Sequence, residues 1–227
     1  MITLHRHILR DFDLALESLR ADVLMMASLT ERNLQNSMSC LLDRNVTLCE
    51  ATIADENEID ALEKKIDSDG VEILVRFQPV ASDLRQVVGT MKVAPNLERV
   101  ADQAAKIARR SRKLSFEPEL DEAGTLGPMF AEVINLFRDS IRAYADENVT
   151  LARGLRARDR GVDQMNQDLA AIFTARMAEQ PDRITDYLNL IFIARHLERV
   201  GDHAKNIAED AVYVSQAEDI RHAGNKY

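Results

Sequence analysis

Tryptophan is absent from this 227-residue chain, and cysteine occurs only at Cys40 and Cys49. The two are nine positions apart, and neither a second thiol pair nor a ligand-spaced histidine accompanies them, so they read as inert core or near-core thiols. Eight glycines and five prolines leave few breakers in a composition rich in helix formers. Basic charge is also short: the formal net charge of −9 argues against a nucleic-acid groove, which needs clustered Lys and Arg. The one basic run, Arg109-Arg110-Ser111-Arg112-Lys113, is expected to be a solvated helix end, where cations suit the macrodipole. The longest apolar run, Leu188 to Ala194, contains Asn189 and falls far short of the ~20 residues that cross a bilayer. The N-terminal residues lack the apolar core and cleavage site of a signal peptide, so a cytoplasmic location is the expectation. A Gly-rich phosphate loop, Gly-X-Ser-X-Gly, a Cys/His nucleophile spacing and Glu-X-X-His are all missing, and no enzyme activity is expected.

What the chain does contain is helical periodicity. Between about residues 3 and 43, Ile8, Phe12, Leu16, Leu19, Val23, Met26, Leu29, Leu34, Met38 and Leu41 recur three to five apart, which predicts one long amphipathic helix. A turn at Asp43–Asn45 leads to a second helix over 46–77, ended by Gln78-Pro79, and Ser82 is a plausible N-cap for a third reaching about 113. Two prolines and two glycines among acidic residues mark 115–128 as a linker. Beyond it the pattern restarts, with helices expected over 129–145, 148–179 and, after Gln180-Pro181 with Asp182 as N-cap, up to about 216. The expected fold is therefore all-α: two tandem three-helix bundles, 1–114 and 129–217, and a tail, 218–227.

The halves are copies of one unit. Residues 97–108 and 197–208 agree at eight of twelve positions at a constant offset of 100; Asn45-Val-Thr-Leu48 recurs as Asn148-Val-Thr-Leu151, and Gln78-Pro79 as Gln180-Pro181. Each copy of the twelve-residue stretch carries two carboxylates four apart, Glu98 and Asp102 or Glu198 and Asp202. On a helix these sit side by side and oppose its formation by roughly 0.2–0.5 kcal/mol. A bound cation would explain a penalty written twice. A wheel at 100° per residue turns these acids away from the apolar face, toward the bundle surface. The second helix of the first half offers a matching stripe, Glu56, Asp60, Glu63 and Asp67, whose aligned positions in the second half are Asp159, Asp163, Asn166 and Ala170. If the second and third helices lie side by side, the stripes meet as an all-oxygen site, suited to Mg²⁺, Mn²⁺, Ca²⁺ or iron more than to zinc. His196 and His203 share a face turned well away from Glu198 and are expected to be packing or surface residues. The competing reading is a helical scaffold or adaptor whose acidic stripes are merely solvated.

The doubled Glu-Arg-Val-(Ala/Gly)-Asp, the segment Gln78-Pro-Val-Ala-Ser-Asp-Leu-Arg85 and the tail Glu218-Asp-Ile-Arg-His222 together resemble the PhoU family, the phosphate-specific transport system accessory proteins of bacteria. The resemblance spans nearly the whole chain. It implies paired three-helix bundles with surface metal clusters of iron or another cation such as zinc, manganese or magnesium. Carried onto this sequence, one site would use Glu56, Asp60, Glu98 and Asp102, and the other Asp159, Asp163, Glu198 and Asp202. The implied role is negative regulation of phosphate uptake and phosphate-starvation signalling, between the ATPase subunit of a phosphate ABC transporter and a sensor histidine kinase, with a homodimer expected. Pro95, just before the first motif, is expected to break the bond to Met91 and kink the third helix, shifting Glu98 and Asp102.

Overall fold

Apolar side chains three and four residues apart pack the first helix along its length, as the sequence predicts. In the computed structural model, which describes residues 2–221 and side chains from residue 10 onward, α1 runs Ile2–Leu42 and buries Phe12, Leu19, Val23, Met26, Leu34 and Leu41. Ile8, in the predicted series, and His222, in the tail motif, lie outside the residues whose side chains are described. A left-handed Arg44 (φ 53°) turns the chain, and the Asn45 side chain accepts from the Leu48 amide at 3.2 Å to start α2, Val46–Ala54. The second half repeats the device: Glu147 is left-handed (φ 51°), and Asn148 accepts from the Leu151 amide at 3.0 Å to start α6, Val149–Glu179. Such caps satisfy an amide that the first turn leaves without a partner.

The other helices are α3 (Glu56–Phe77), α4 (Ala81–Leu114), α5 (Gly127–Ala145) and α7 (Ile184–Gln216), with 3₁₀ turns at Asp121–Leu126 and Pro181–Arg183 and no strand among the described residues. The helix expected over 46–77 is interrupted at Asp55, whose carbonyl accepts from Glu58 in a 3₁₀ turn and whose carboxylate takes a hydrogen bond from Arg32 of α1 at 2.8 Å. Ser82 and Asp182 do not cap: the positions preceding α4 and α7 are Val80 and Arg183, neither with a side-chain cap. α4 continues through Pro95 without interruption. Cys40 and Cys49 are disulfide-bonded, which corrects the expectation of two separate thiols. The Asp43–Asn45 turn folds α2 back on α1 and brings their Cα atoms to 5.3 Å, within disulfide range, in a fully buried site beside Ala108.

α1, α3 and α4 pack together, as do α5, α6 and α7, and α4 lies along α7. One continuous apolar core runs through both sets, from Phe12 to Val212, and takes in Leu120 and Leu126 of the intervening segment. No described helix is long and apolar enough to cross a membrane.

Candidate metal centre

Side-by-side packing of α3 with α4, and of α6 with α7, sets the acidic faces against each other. Glu56 and Asp60 of α3 and Glu98 and Asp102 of α4 line one cleft of about 300 Å³, closed below by Ile59 and Ala101. All four residues assigned to the first site therefore share one space, and Pro95 has not displaced the motif. Burial pushes the Glu98 carboxyl above its ordinary range; Arg99 opposes this, while Glu63, Asp102 and Asp60 add to it. Glu63 thus joins the first cleft's field. Asp67, a turn further on, does not line it.

The second cleft, about 490 Å³, is lined by Asp159 and Asp163 of α6 with Lys205 and Glu209 of α7. Asp202 joins through Lys205, whose ammonium donates to Asp159 and Asp202 at 2.6 Å each. Glu198 lies beside this group, within the field of Asp202 and Asp163, and burial raises its carboxyl. Asp159 departs from the expected surface position: its side chain is 4% exposed. Burial raises its carboxyl although Lys205 pulls the other way. Desolvation disfavours the charged form of Lys205, but hydrogen bonds to the two aspartates outweigh it and keep the ammonium protonated. Glu209 is also buried.

Protein cations pair with acids of both clefts. Lys106 donates to Asp102 at 2.5 Å, Arg109 is paired with Glu56, and Lys205 bridges the second pair. Spacing could have revealed Lys106 and Lys205, four and three residues after their aspartates; Arg109 reaches Glu56 only through the fold. As the side chains stand, no three carboxylate, histidine or cysteine groups among the described residues converge closely enough to hold one ion. The donor chemistry nevertheless fits a hard cation. Both sets are all-oxygen, and Asp159 Oδ1 is buried without a hydrogen-bond partner, an acceptor left open inside the second cleft. A Cβ on Gly201 would stand 3.1 Å from that oxygen. The first half has the longer Glu56 on α3 and Ala101 on α4 at the matching positions.

The basic run is a helix end in part, with Arg112 and Lys113 in the last turn of α4, but two of its arginines have partners elsewhere in the fold. Besides the Arg109–Glu56 pair, Arg110 donates to Asn189 at 3.0 Å and stacks over the Phe192 ring at 4.1 Å. The two histidines are packing residues: His196 Nδ1 lies 2.9 Å from Gln103 Oε1, and His203 Nδ1 lies 3.2 Å from Asn96 Oδ1, both between α4 and α7. Burial lowers His196 to about 4.

Six long helices in two like sets, each set with an acidic cleft between its second and third helices, define a class of duplicated helical proteins. The PhoU domain model matches residues 23–111 and 126–211, and the chain belongs to the PhoU family. It is 34% identical over 226 residues to the phosphate-specific transport system accessory protein PhoU homolog of Pseudomonas aeruginosa, covering 98% of this chain and 92% of that one. To PhoU homolog 1 of Thermotoga maritima it is 30% identical, covering 92% and 91%. The crystal structure of PhoU from Pseudomonas aeruginosa superposes with a TM-score of 0.88 at 32% identity, covering 91% of this chain and all of that one. The phosphate transport system regulatory protein PhoU from Streptococcus pneumoniae gives 0.85 at 26% identity, covering 92% and 99%.

Proposed function

We propose that the chain is the accessory regulator of a phosphate-specific transport system. It is a cytoplasmic protein that restrains phosphate uptake and phosphate-starvation signalling through contacts with the transporter's ATPase subunit and a sensor histidine kinase. The support is a helical framework shared over nearly the full length with relatives named as accessory proteins of phosphate transport. The role needs helical surfaces and no catalytic group.

The cation-holding part of the proposal rests on one observation, the gathering of acids from two helices into one cleft, repeated in both halves. Glu56, Asp60, Glu98 and Asp102 would hold one centre, and Asp159, Asp163, Glu198 and Asp202 the other. Iron, manganese, magnesium or zinc would supply positive charge that offsets the carboxylate repulsion. A second reading, a scaffold whose acids bind no metal, is favoured by the Lys106, Arg109 and Lys205 pairs, which already neutralise part of each cleft. Replacing Glu98, Asp102, Glu198 and Asp202 with alanine together should strip most of the metal found in purified wild-type protein by elemental analysis. Undiminished content would sink the assignment and leave the scaffold reading.

A further inference from the structure

The duplicated unit has diverged in charge at the second cleft. Aligned on their Asn caps, the α6 positions that carry Arg156 and Arg160 correspond to Ile53 and Asn57 in the first half, and Lys205 of α7 corresponds to Ala105 of α4. Among the described residues no cationic side chain lines the first cleft, although Lys106 and Arg109 pair with its Asp102 and Glu56. Arg156, Arg160 and Lys205 all line the second, with Arg221 brought over it by the chain that follows α7. That chain is held in place by Ile220 packing against the core and by Glu218, which accepts from Arg153 at 2.5 Å.

Arg156 and Arg160 are four apart on one helix face, so their charges repel and weaken the helix slightly. Neighbouring arginines are spent on the fold: Arg158 donates to Glu132 at 2.8 Å and to Asp139 at 2.6 Å. Arg156 and Arg160 make no ion pair or hydrogen bond among the described residues, although both border a cleft. Asp159 and Asp163 belong to the cation-holding set, which leaves Glu209 as the remaining carboxylate of the lining; it lies in the field of Arg156, and Asp219, paired with Arg221, adds negative charge beside it. Asn206 lines the same wall and adds an amide donor.

From this juxtaposition we propose that Arg156 and Arg160 form a subsite for a tetrahedral oxyanion of the inorganic phosphate type, in the second cleft and absent from the first. Planar guanidinium groups suit such an ion because each offers two parallel donors. The subsite deepens the cation-holding reading of the same cleft and rests on it only for coupling. A cation taken by Asp159 and Asp202 competes with Lys205 for the same oxygens, and the released ammonium then faces the arginines. Metal and oxyanion should therefore strengthen each other's binding, reciprocally.

The test is calorimetric titration with inorganic phosphate at constant ionic strength, on chelated and on Mn²⁺-loaded protein. Wild type is compared with R156Q/R160Q and with the charge-keeping R156K/R160K, and metal content is measured in parallel. Wild type should take one phosphate per chain, more tightly with Mn²⁺. R156Q/R160Q should bind it about tenfold or more weakly while keeping its metal, with the lysine variant between them. Absence of phosphate binding by wild type in both states, or equal binding by the glutamine variant, would overturn the subsite. So would loss of metal together with phosphate in that variant, because the two sites would then be one. If wild type holds no metal yet loses phosphate with the arginines, the subsite stands and the cation reading falls.

Discussion

Among single side chains outside the clefts, Asp210 of α7 is a carboxylate that burial penalises when it ionises. It is 8% exposed, with Glu209 and Asp219 adding to its difficulty and Lys92 and Arg221 opposing it. Burial is the main cause, and it pushes the carboxyl up to about 6 from 3.8. The folded protein thus holds this proton more tightly than the unfolded chain does. The ionised group costs stability above pH 6, and the cost disappears as pH falls to about 3.8. The full difference is roughly 3 kcal/mol. Asp210→Asn should therefore stabilise the protein at pH 8 by roughly 2–3 kcal/mol, and most of that gain should be gone at pH 4.5, as read by urea denaturation at each pH. An equal gain at both values would mean that Asp210 is not the titrating group.

Between elements, a glycine gives α7 room to pack closely on α4. A Cβ on Gly89 would overlap Val214 of α7, a packed side chain rather than a flexible tip. Gly89→Ala should thus lower stability by about 1–3 kcal/mol through overpacking, more than the gain in helix propensity returns, and V214A should rescue it in the double variant. A thermal melt of the three variants checks this. That contact was not legible in the sequence, whereas the helices themselves were. Phe12, Leu19, Val23 and Met26 announce α1 by spacing alone, and Asn45 and Asn148 announce two helix starts by their repetition. The acidic faces were legible for the same reason: i,i+4 spacing survives any arrangement of the helices, and the four acids of the first half do share one cleft. What remained hidden depends on partners distant in sequence. Asp55 interrupts its helix where Arg32 reaches it, and Asp159 is buried because Gly201 lets α6 close on α7. Pro95 misled in the other direction. Losing one bond to Met91 is tolerated in a helix held by Val93, Ala94 and Leu97, all buried on either side of it.

At the scale of the whole molecule, α4 and α7 run antiparallel along a seam that relates the halves by a pseudo-twofold axis. Asn96 meets His203, Gln103 meets His196, and Arg110 meets Asn189, each pair seven residues from the next on both helices. Exchanging the halves at the offset of 100 turns the first of these pairs into the second, so the seam is self-complementary in the way of a symmetric dimer. The same exchange carries Arg110 and Asn189 onto Asp210 and Gly89, where the symmetry is broken in charge. Polar pairs buried or half-buried at heptad intervals fix register at some cost in stability, because a slip of either helix leaves each amide and imidazole without its partner. His196→Leu should accordingly destabilise by about 1–3 kcal/mol, since Gln103 Oε1 would stay buried without its partner. Adding Gln103→Leu should recover most of that loss by making the contact apolar on both sides. Urea denaturation of wild type, the two single variants and the double variant gives the coupling energy directly. Simple additivity of the two single losses would show that the pair does not act as a unit, and the register of the halves would then have to come from the apolar residues of the seam alone.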